Sequence, residues 1–104
     1  MSGKVILSPD VMRDVARITT LATPGVLAMA SAPARGRKTA VDGVEVEMQE
    51  SGAYIRLRVI AAVNLPLQKL GEQIQSNVAA AIAEITGMTV TAVDVIFEDV
   101  RSKP

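Results

Sequence analysis

Strict alternation between apolar and polar residues dominates the middle of the chain. Val44, Val46 and Met48 alternate with acidic and amide residues up to a break at Glu50-Ser51-Gly52. A second apolar series then follows at every other position: Ile55, Leu57, Val59, Ala61 and Val63. Side chains of a β-strand point alternately to opposite faces, so this period of two predicts a β-hairpin over residues 43–63 with one buried face.

The two faces of this hairpin restrict its register. A two-residue turn at Ser51-Gly52 pairs Glu47 with Arg56 and Glu45 with Arg58 on the solvent side. On the buried side the same turn pairs Met48 with Ile55, Val46 with Leu57 and Val44 with Val59. A four-residue turn keeps this pairing, whereas a three-residue turn would set acidic residues against leucine. We therefore predict the register that places each of these acids opposite an arginine.

Apolar residues recur at helical spacing in two other segments. The first helix is predicted to begin at Pro9, after the potential cap Ser8, and to run for about 13 residues to Thr23-Pro24-Gly25. The second is predicted to begin at Pro66 and to end at Thr86-Gly87. The inward stripes are Val11, Val15, Ile18 and Ala22 in the first helix, and Leu67, Leu70, Ile74, Val78, Ile82 and Ile85 in the second.

Short β-prone runs complete the pattern. Val5-Ile6-Leu7, Val26 to Met29, and Met88 to Val100 are predicted strands, whereas Ser31 to Ala40 lacks periodicity and is predicted to be an exposed loop. The order β-α-β-β-β-α-β favours an α+β fold with two helices packed on one face of a small mixed β-sheet. We expect one domain over residues 1–100 and a polar tail over residues 101–104.

Composition excludes several classes of function. Eleven basic and eleven acidic residues cancel, so no overall field attracts nucleic acid or an anionic membrane. The chain has no histidine and no cysteine, which removes the commonest general base, nucleophile and metal ligands. We therefore expect no enzyme activity, no catalytic residues, no cofactor and no metal. The start of the chain lacks a signal peptide pattern, so the cytoplasm is the expected compartment.

One local basic cluster stands out, at Arg35, Arg37 and Lys38 in the predicted loop. Three such charges can contact phosphates, lipid headgroups or an acidic partner, although a solvated loop is the simpler interpretation. The element order also resembles that of KH-like RNA-binding domains, but the Gly-x-x-Gly loop that clamps the nucleic-acid backbone is missing. A KH-like nucleic-acid binder remains the alternative to a protein-binding domain.

A candidate partner-binding face follows from the strand pattern. If the Val-rich faces of the last two long strands lie under the second helix, the opposite face carries the apolar residues Ile60, Ala62, Ala92 and Ile96. Arg56 and Arg58, with Asp94 and Glu98, would rim this cluster. An apolar centre with a charged edge is typical of a protein interface, and self-association is one form it can take. Equally, the segment from Ser31 to Ala40 can fold back and cover these side chains.

The ordered set of residues resembles the bacterial alkaline shock protein family, also called the envelope stress response family, over nearly the whole chain. The resemblance implies a cytoplasmic, non-enzymatic protein that supports stress tolerance and the cell envelope through protein partners, one of which can hold it at the membrane. Departures from the family pattern are Asn64, Asp94 and Glu98-Asp99. The matching segments are Gly3 to Ser8, Pro24-Gly25-Val26 with Met29, Gly36-Arg37-Lys38, Gly43 to Val46, Leu65-Pro66, Ile74 to Val78, Thr86 to Val90 and Val93-Asp94-Val95.

Overall fold

Two helices and a five-stranded sheet make up the computed structural model, which describes residues 1–31 and 40–102. The elements in chain order are α1 (Pro9–Ala22), β1 (Val26–Met29), β2 (Ala40–Val41), β3 (Val44–Gln49), β4 (Gly52–Ala62), α2 (Leu67–Thr86) and β5 (Val90–Arg101). The expected fold class, two helices on one face of a small mixed sheet, is confirmed.

The sheet is organised around β4, which pairs along both of its edges. Strand β5 runs parallel to β4 and pairs with residues 53–62. Strand β3 is antiparallel and pairs with residues 52–57, and β1 is antiparallel and pairs with residues 59–61. Because β5 occupies one whole edge, β1 and β3 lie end to end on the other.

Both helices pack on one face of this sheet and enclose the core. The inward residues of β4 are fully buried, as are Ile74, Val78 and Ile82 of α2. Helix α2 ends as predicted, because Gly87 adopts a left-handed conformation and donates its N–H to the carbonyl of Ala83. The predicted start of α1 at Pro9 is also confirmed.

Two predictions about short segments, Val5-Ile6-Leu7 and Ala40, were wrong. Val5-Ile6-Leu7 forms no strand, and Val5 is 92% exposed, because no described sheet edge lies beside this short run. Conversely, Ala40 is not in a loop but starts β2. Asp42 and Gly43 both have positive φ and form the two-residue turn that joins β2 to β3, as an Asp-Gly pair favours.

The hairpin register was wrong by two residues. Its turn is Glu50-Ser51, so that Glu45 lies opposite Arg56 and Glu47 lies opposite Tyr54. A shift of two keeps every side chain on its predicted face, which is why alternation alone does not detect it. Gly52 pairs with Gln49 as the first residue of β4, and the backbone of Thr89 approaches it so closely that no Cβ would fit.

The inward face of α1 also differs from the predicted stripe. Met12, Ala16 and Thr20 are buried, whereas Ile18 is 59% exposed and Val11 and Ala22 also face solvent. Thr20 donates its hydroxyl to the carbonyl of Ala16 at 2.7 Å, so a residue counted as polar in the sequence is satisfied inside the core. In α2, Ile85 was expected in the stripe but is 64% exposed, because it lies in the last turn, beyond the sheet-covering Ile82.

We expect Gly52→Ala to lower the free energy of unfolding by more than about 2 kcal/mol. Gly52 has φ +140°, and a Cβ there would lie 2.4 Å from the carbonyl oxygen of Thr89, which would force β5 away from β4. Gly87→Ala is the matched control, since Gly87 also has positive φ but a Cβ added to it would meet no atom within 4 Å. Urea denaturation measures both. Equal losses would show that only backbone conformation matters at Gly52.

Candidate interaction surface

The sheet face opposite the two helices, called the outer face below, is formed by alternate side chains of β3, β4 and β5. Because β4 buries Ala53, Ile55, Leu57, Val59 and Ala61 on its helix side, its even-numbered residues point to the outer face. Register extends the face to the neighbouring strands. Its members are Glu45, Glu47, Tyr54, Arg56, Arg58, Ile60, Ala62, Ala92, Asp94, Ile96, Glu98, Asp99 and Arg101.

A polar network centred on Arg56 crosses three strands. The Arg56 guanidinium lies 3.9 Å from a carboxylate oxygen of Glu45 on β3 and 3.9 Å from one of Asp94 on β5. It donates to the Tyr54 hydroxyl at 3.2 Å, and Tyr54 in turn donates to Asp94. The hydrogen bond with Tyr54 raises the pKa of Arg56, although partial burial acts in the opposite direction. Arg56 thus fixes the middle of the outer face as a charged, ordered patch.

A second ion pair lies further along the same face. Arg58 donates to Glu98 of β5, and both side chains are partly exposed. The predicted pairs Glu47 with Arg56 and Glu45 with Arg58 are therefore replaced by Glu45 with Arg56 and Glu98 with Arg58. The replacement follows from the register shift in the hairpin and from parallel pairing with β5, which supplies acidic neighbours of its own.

The apolar residues of the outer face do not form the expected single cluster. Along the β4 and β5 ladder, Ile96 lies opposite Arg58, Ile60 opposite Asp99 and Ala62 opposite Arg101, so apolar and charged residues alternate. Ile60 and Ala62 are only 8% and 7% exposed, whereas Ala92 and Ile96 are half-buried. All four predicted residues do lie on the outer face, but Ile60 and Ala62 are buried, so Ala92 and Ile96 are the accessible members. Partner binding by this face stays a prediction.

A bulge in β5 produces part of this alternation. The register shifts between Val59 and Ile60, where Glu98 is the extra residue of β5, so that Glu98 and Asp99 both reach the outer face. Asp99 accepts from Arg101 Nε at 2.9 Å and from the backbone N–H of Val100 at 2.8 Å. These two bonds, first that of Arg101, lower the pKa of the Asp99 carboxyl.

Acidic groups outnumber basic groups on the outer face. Glu45, Glu47, Asp94, Glu98 and Asp99 face three guanidinium groups, those of Arg56, Arg58 and Arg101. Among residues 1–31 and 40–102, this face therefore carries two more negative than positive charges. This asymmetry favours partners that present basic groups.

The other candidate site, Arg35 with Arg37 and Lys38, lies outside the described residues. Within the described residues, no group of three or more acidic side chains is arranged to hold a metal ion. Sequence reasoning missed Asp99 as a member of the outer face, and it missed the contacts of Tyr54 with Arg56 and Asp94. Alternation did place Tyr54 on it, but the bulge that turns Asp99 outward has no sequence signature.

Comparison with known proteins gives one family and one recurrent fold. The model of the alkaline shock protein 23 family, described as having a cell envelope-related function, matches residues 1–102. No curated protein gives a match. Neither helix of the described structure is long and apolar enough to cross a membrane.

Solved structures of the MamM CTD share this fold at low sequence identity. One is 8% identical, covers 92% of this chain and 100% of its own, and has a TM-score of 0.56. A copper form is 10% identical, covers 88% of this chain and 98% of its own, and has a TM-score of 0.57. A zinc form is 9% identical, covers 92% and 87%, and has a TM-score of 0.54. At such identities the likeness is one of fold alone.

We expect the Asp99 carboxyl to titrate below its ordinary value of 3.8, because Arg101 and the Val100 N–H stabilise its charged form. A lowered pKa in the folded state contributes stability above the unfolded pKa, and this contribution is lost as the pH falls through the folded pKa. Carboxyl-detected NMR titration measures the midpoint. Arg101→Gln should raise it, and an unchanged midpoint in that variant would contradict the assignment.

Proposed function

The chain belongs to the alkaline shock protein 23 family, and on that premise we propose that it is a non-enzymatic binding or scaffold protein of the bacterial cell envelope. Its role is to bind protein partners during envelope stress, and the outer face is the surface that binds them. The family supplies the link to the envelope, and the outer face supplies the contact chemistry.

The observation that carries this proposal is the asymmetry between the two faces of the sheet. The helix side is filled by the core, whereas the outer face has two half-buried apolar side chains, Ala92 and Ile96, beside an ordered ionic network. Ion pairs held across strands lose little further conformational entropy when a partner docks on them. A partner with basic groups would meet the excess of carboxylates on this face.

Cytoplasmic location and attachment to the membrane through a partner belong to the same proposal. The family description supports this location, because it gives the family a cell envelope-related function. The lack of histidine and cysteine supports binding rather than catalysis, because those side chains perform most nucleophilic and general acid-base chemistry.

We expect the Ile96→Asp variant to capture roughly tenfold less of its envelope partner protein, or even less than that, when it is cross-linked in the cell. The new carboxylate would be desolvated at an interface that already carries acidic groups. Ile96 is half-buried and does not belong to the buried core, so the substitution should leave the fold intact. The measurement is cross-linking in the native cell, followed by identification of the captured species. Ile60 is unsuitable for this test because it is buried.

Ile85→Asp is the matched control, because the same substitution then falls on an exposed position of α2, away from the outer face. The control should keep both partner recovery and survival under envelope stress. Equal recovery from the two variants would exclude the outer face as the binding surface. Recovery of RNA in place of protein, lost when Arg35, Arg37 and Lys38 become Ala, would favour the KH-like alternative.

A further inference from the structure

Strand β5 lies at an edge of the described sheet. It pairs with β4 along its length, and within residues 1–31 and 40–102 no other strand pairs with it. An edge strand of twelve residues presents backbone N–H and C=O groups that can pair with another strand. Two features decide which of these groups can still pair with another strand: the direction in which each group points, and whether a side chain already bonds to it.

Pairing on the other edge of β4 shows which way the β5 backbone points. Arg58 donates its N–H to Gly43 and accepts from the N–H of Ala30, so even-numbered residues of β4 bond towards β3 and β1. Odd-numbered residues such as Leu57 therefore bond towards β5. In a parallel ladder only one member of each aligned pair bonds across it, and Leu57 is aligned with Val95. The backbone groups of Val93, Val95 and Phe97 thus point away from β4.

Side chains cap this edge on both sides of its middle. Gln75 of α2 donates to the Val93 carbonyl at 3.0 Å, and Asp99 accepts from the Val100 N–H. Such caps block unwanted strand pairing. The stretch from Val95 to Phe97 lies between the two caps and keeps its edge open.

A groove runs beside this open stretch, between β5 and α2. Val95 and Phe97 form its strand side, Leu67 and Gly71 contribute from the helix, and Gln75 lines its end. Gly71 leaves space above the Phe97 ring, since a Cβ there would lie 3.6 Å from the ring. Glu72 is the ionisable residue in this lining, and Asp94 and Glu98 flank the same stretch on the outer face.

We propose that this groove binds an extended basic segment of a partner protein, which adds to the sheet as a strand beside β5. The backbone of the segment pairs with Val95 and Phe97, and its apolar side chains contact the groove. Lysine or arginine at the alternate positions points to the opposite face, where it lies beside Asp94 and Glu98. The segment binds through the backbone edge of β5 and the groove, at the border of the outer face, and the inference stands without the function proposed above.

Synthetic peptides test both the backbone pairing and the charge preference. The probe is a fluorescent eight-residue peptide of alternating valine and lysine, measured by fluorescence anisotropy with the full chain at physiological salt. One control replaces lysine by glutamate, and a second carries N-methyl groups on alternate amides, which abolishes hydrogen bonding along one edge. We expect each control to bind at least tenfold more weakly than the probe.

Protein variants then locate the binding. Val95→Pro removes an N–H that points away from β4, so the sheet is kept while the added strand loses a partner. Gly71→Met fills the groove, and Ala80→Met places the same side chain on an exposed part of α2 as its matched control. We expect at least tenfold weaker binding for Val95→Pro and Gly71→Met and no change for Ala80→Met. Gln75→Ala frees the Val93 carbonyl and should strengthen binding severalfold.

Hydrogen exchange gives an independent readout. The amide hydrogens of Val95 and Phe97 should exchange quickly in the free protein and slow at least tenfold with saturating peptide, whereas that of Ile96 faces β4 and is already protected. The proposal is overturned if no peptide binds, if the N-methylated or glutamate peptide binds as well as the probe, or if folded Val95→Pro and Gly71→Met bind normally. Those outcomes leave the outer-face proposal intact, because that proposal is judged by Ile96→Asp cross-linking.

Discussion

Burial of strand β4 is the constraint on which the rest of this structure depends. The strand bonds along both edges, with β5 on one and with β3 and β1 in succession on the other. Its helix side consists of small and branched apolar residues with no exposed surface. Since the fully buried apolar side chains of β4 all lie on one face, α1 and α2 must both cover that face. The polar side chains of β4 lie on the opposite face and must find partners there.

The outer face shows how that requirement is met. Arg56 lies between acids from β3 and β5, and Arg58 pairs with Glu98, so the two arginines of the central strand are balanced by neighbours on either side. Exposed pairs of this kind add little to stability, at most about 1 kcal/mol each. Their main effect is to hold the long side chains of the outer face in place across neighbouring strands.

The two edges of the sheet differ in how their backbone groups are satisfied. On the β3 side, the short β2 strand follows the Asp42-Gly43 turn and extends the sheet. On the β5 side, a glutamine from α2 and an aspartate of β5 itself satisfy single backbone groups while the stretch between them stays open. If this edge served only to prevent pairing with other strands, we would expect it to be protected along its whole length. Instead, the unprotected stretch lies beside the groove that Val95 and Phe97 line.

The sequence by itself determined the helices, the hairpin, the inward face of each long strand and hence the fold class, because periods of 2 and 3.6 residues report which side of an element is buried. It also placed Arg56 and Arg58 on the face away from the helices. Only the tertiary structure decided what those arginines contact, since a shift of two residues leaves the alternation unchanged and Glu98 of the parallel neighbour β5 is 40 residues away from Arg58 in the chain. The inward face of α1 was likewise decided by packing, because Ala16 and Thr20 are buried for their small size and a satisfied hydroxyl rather than for hydrophobicity.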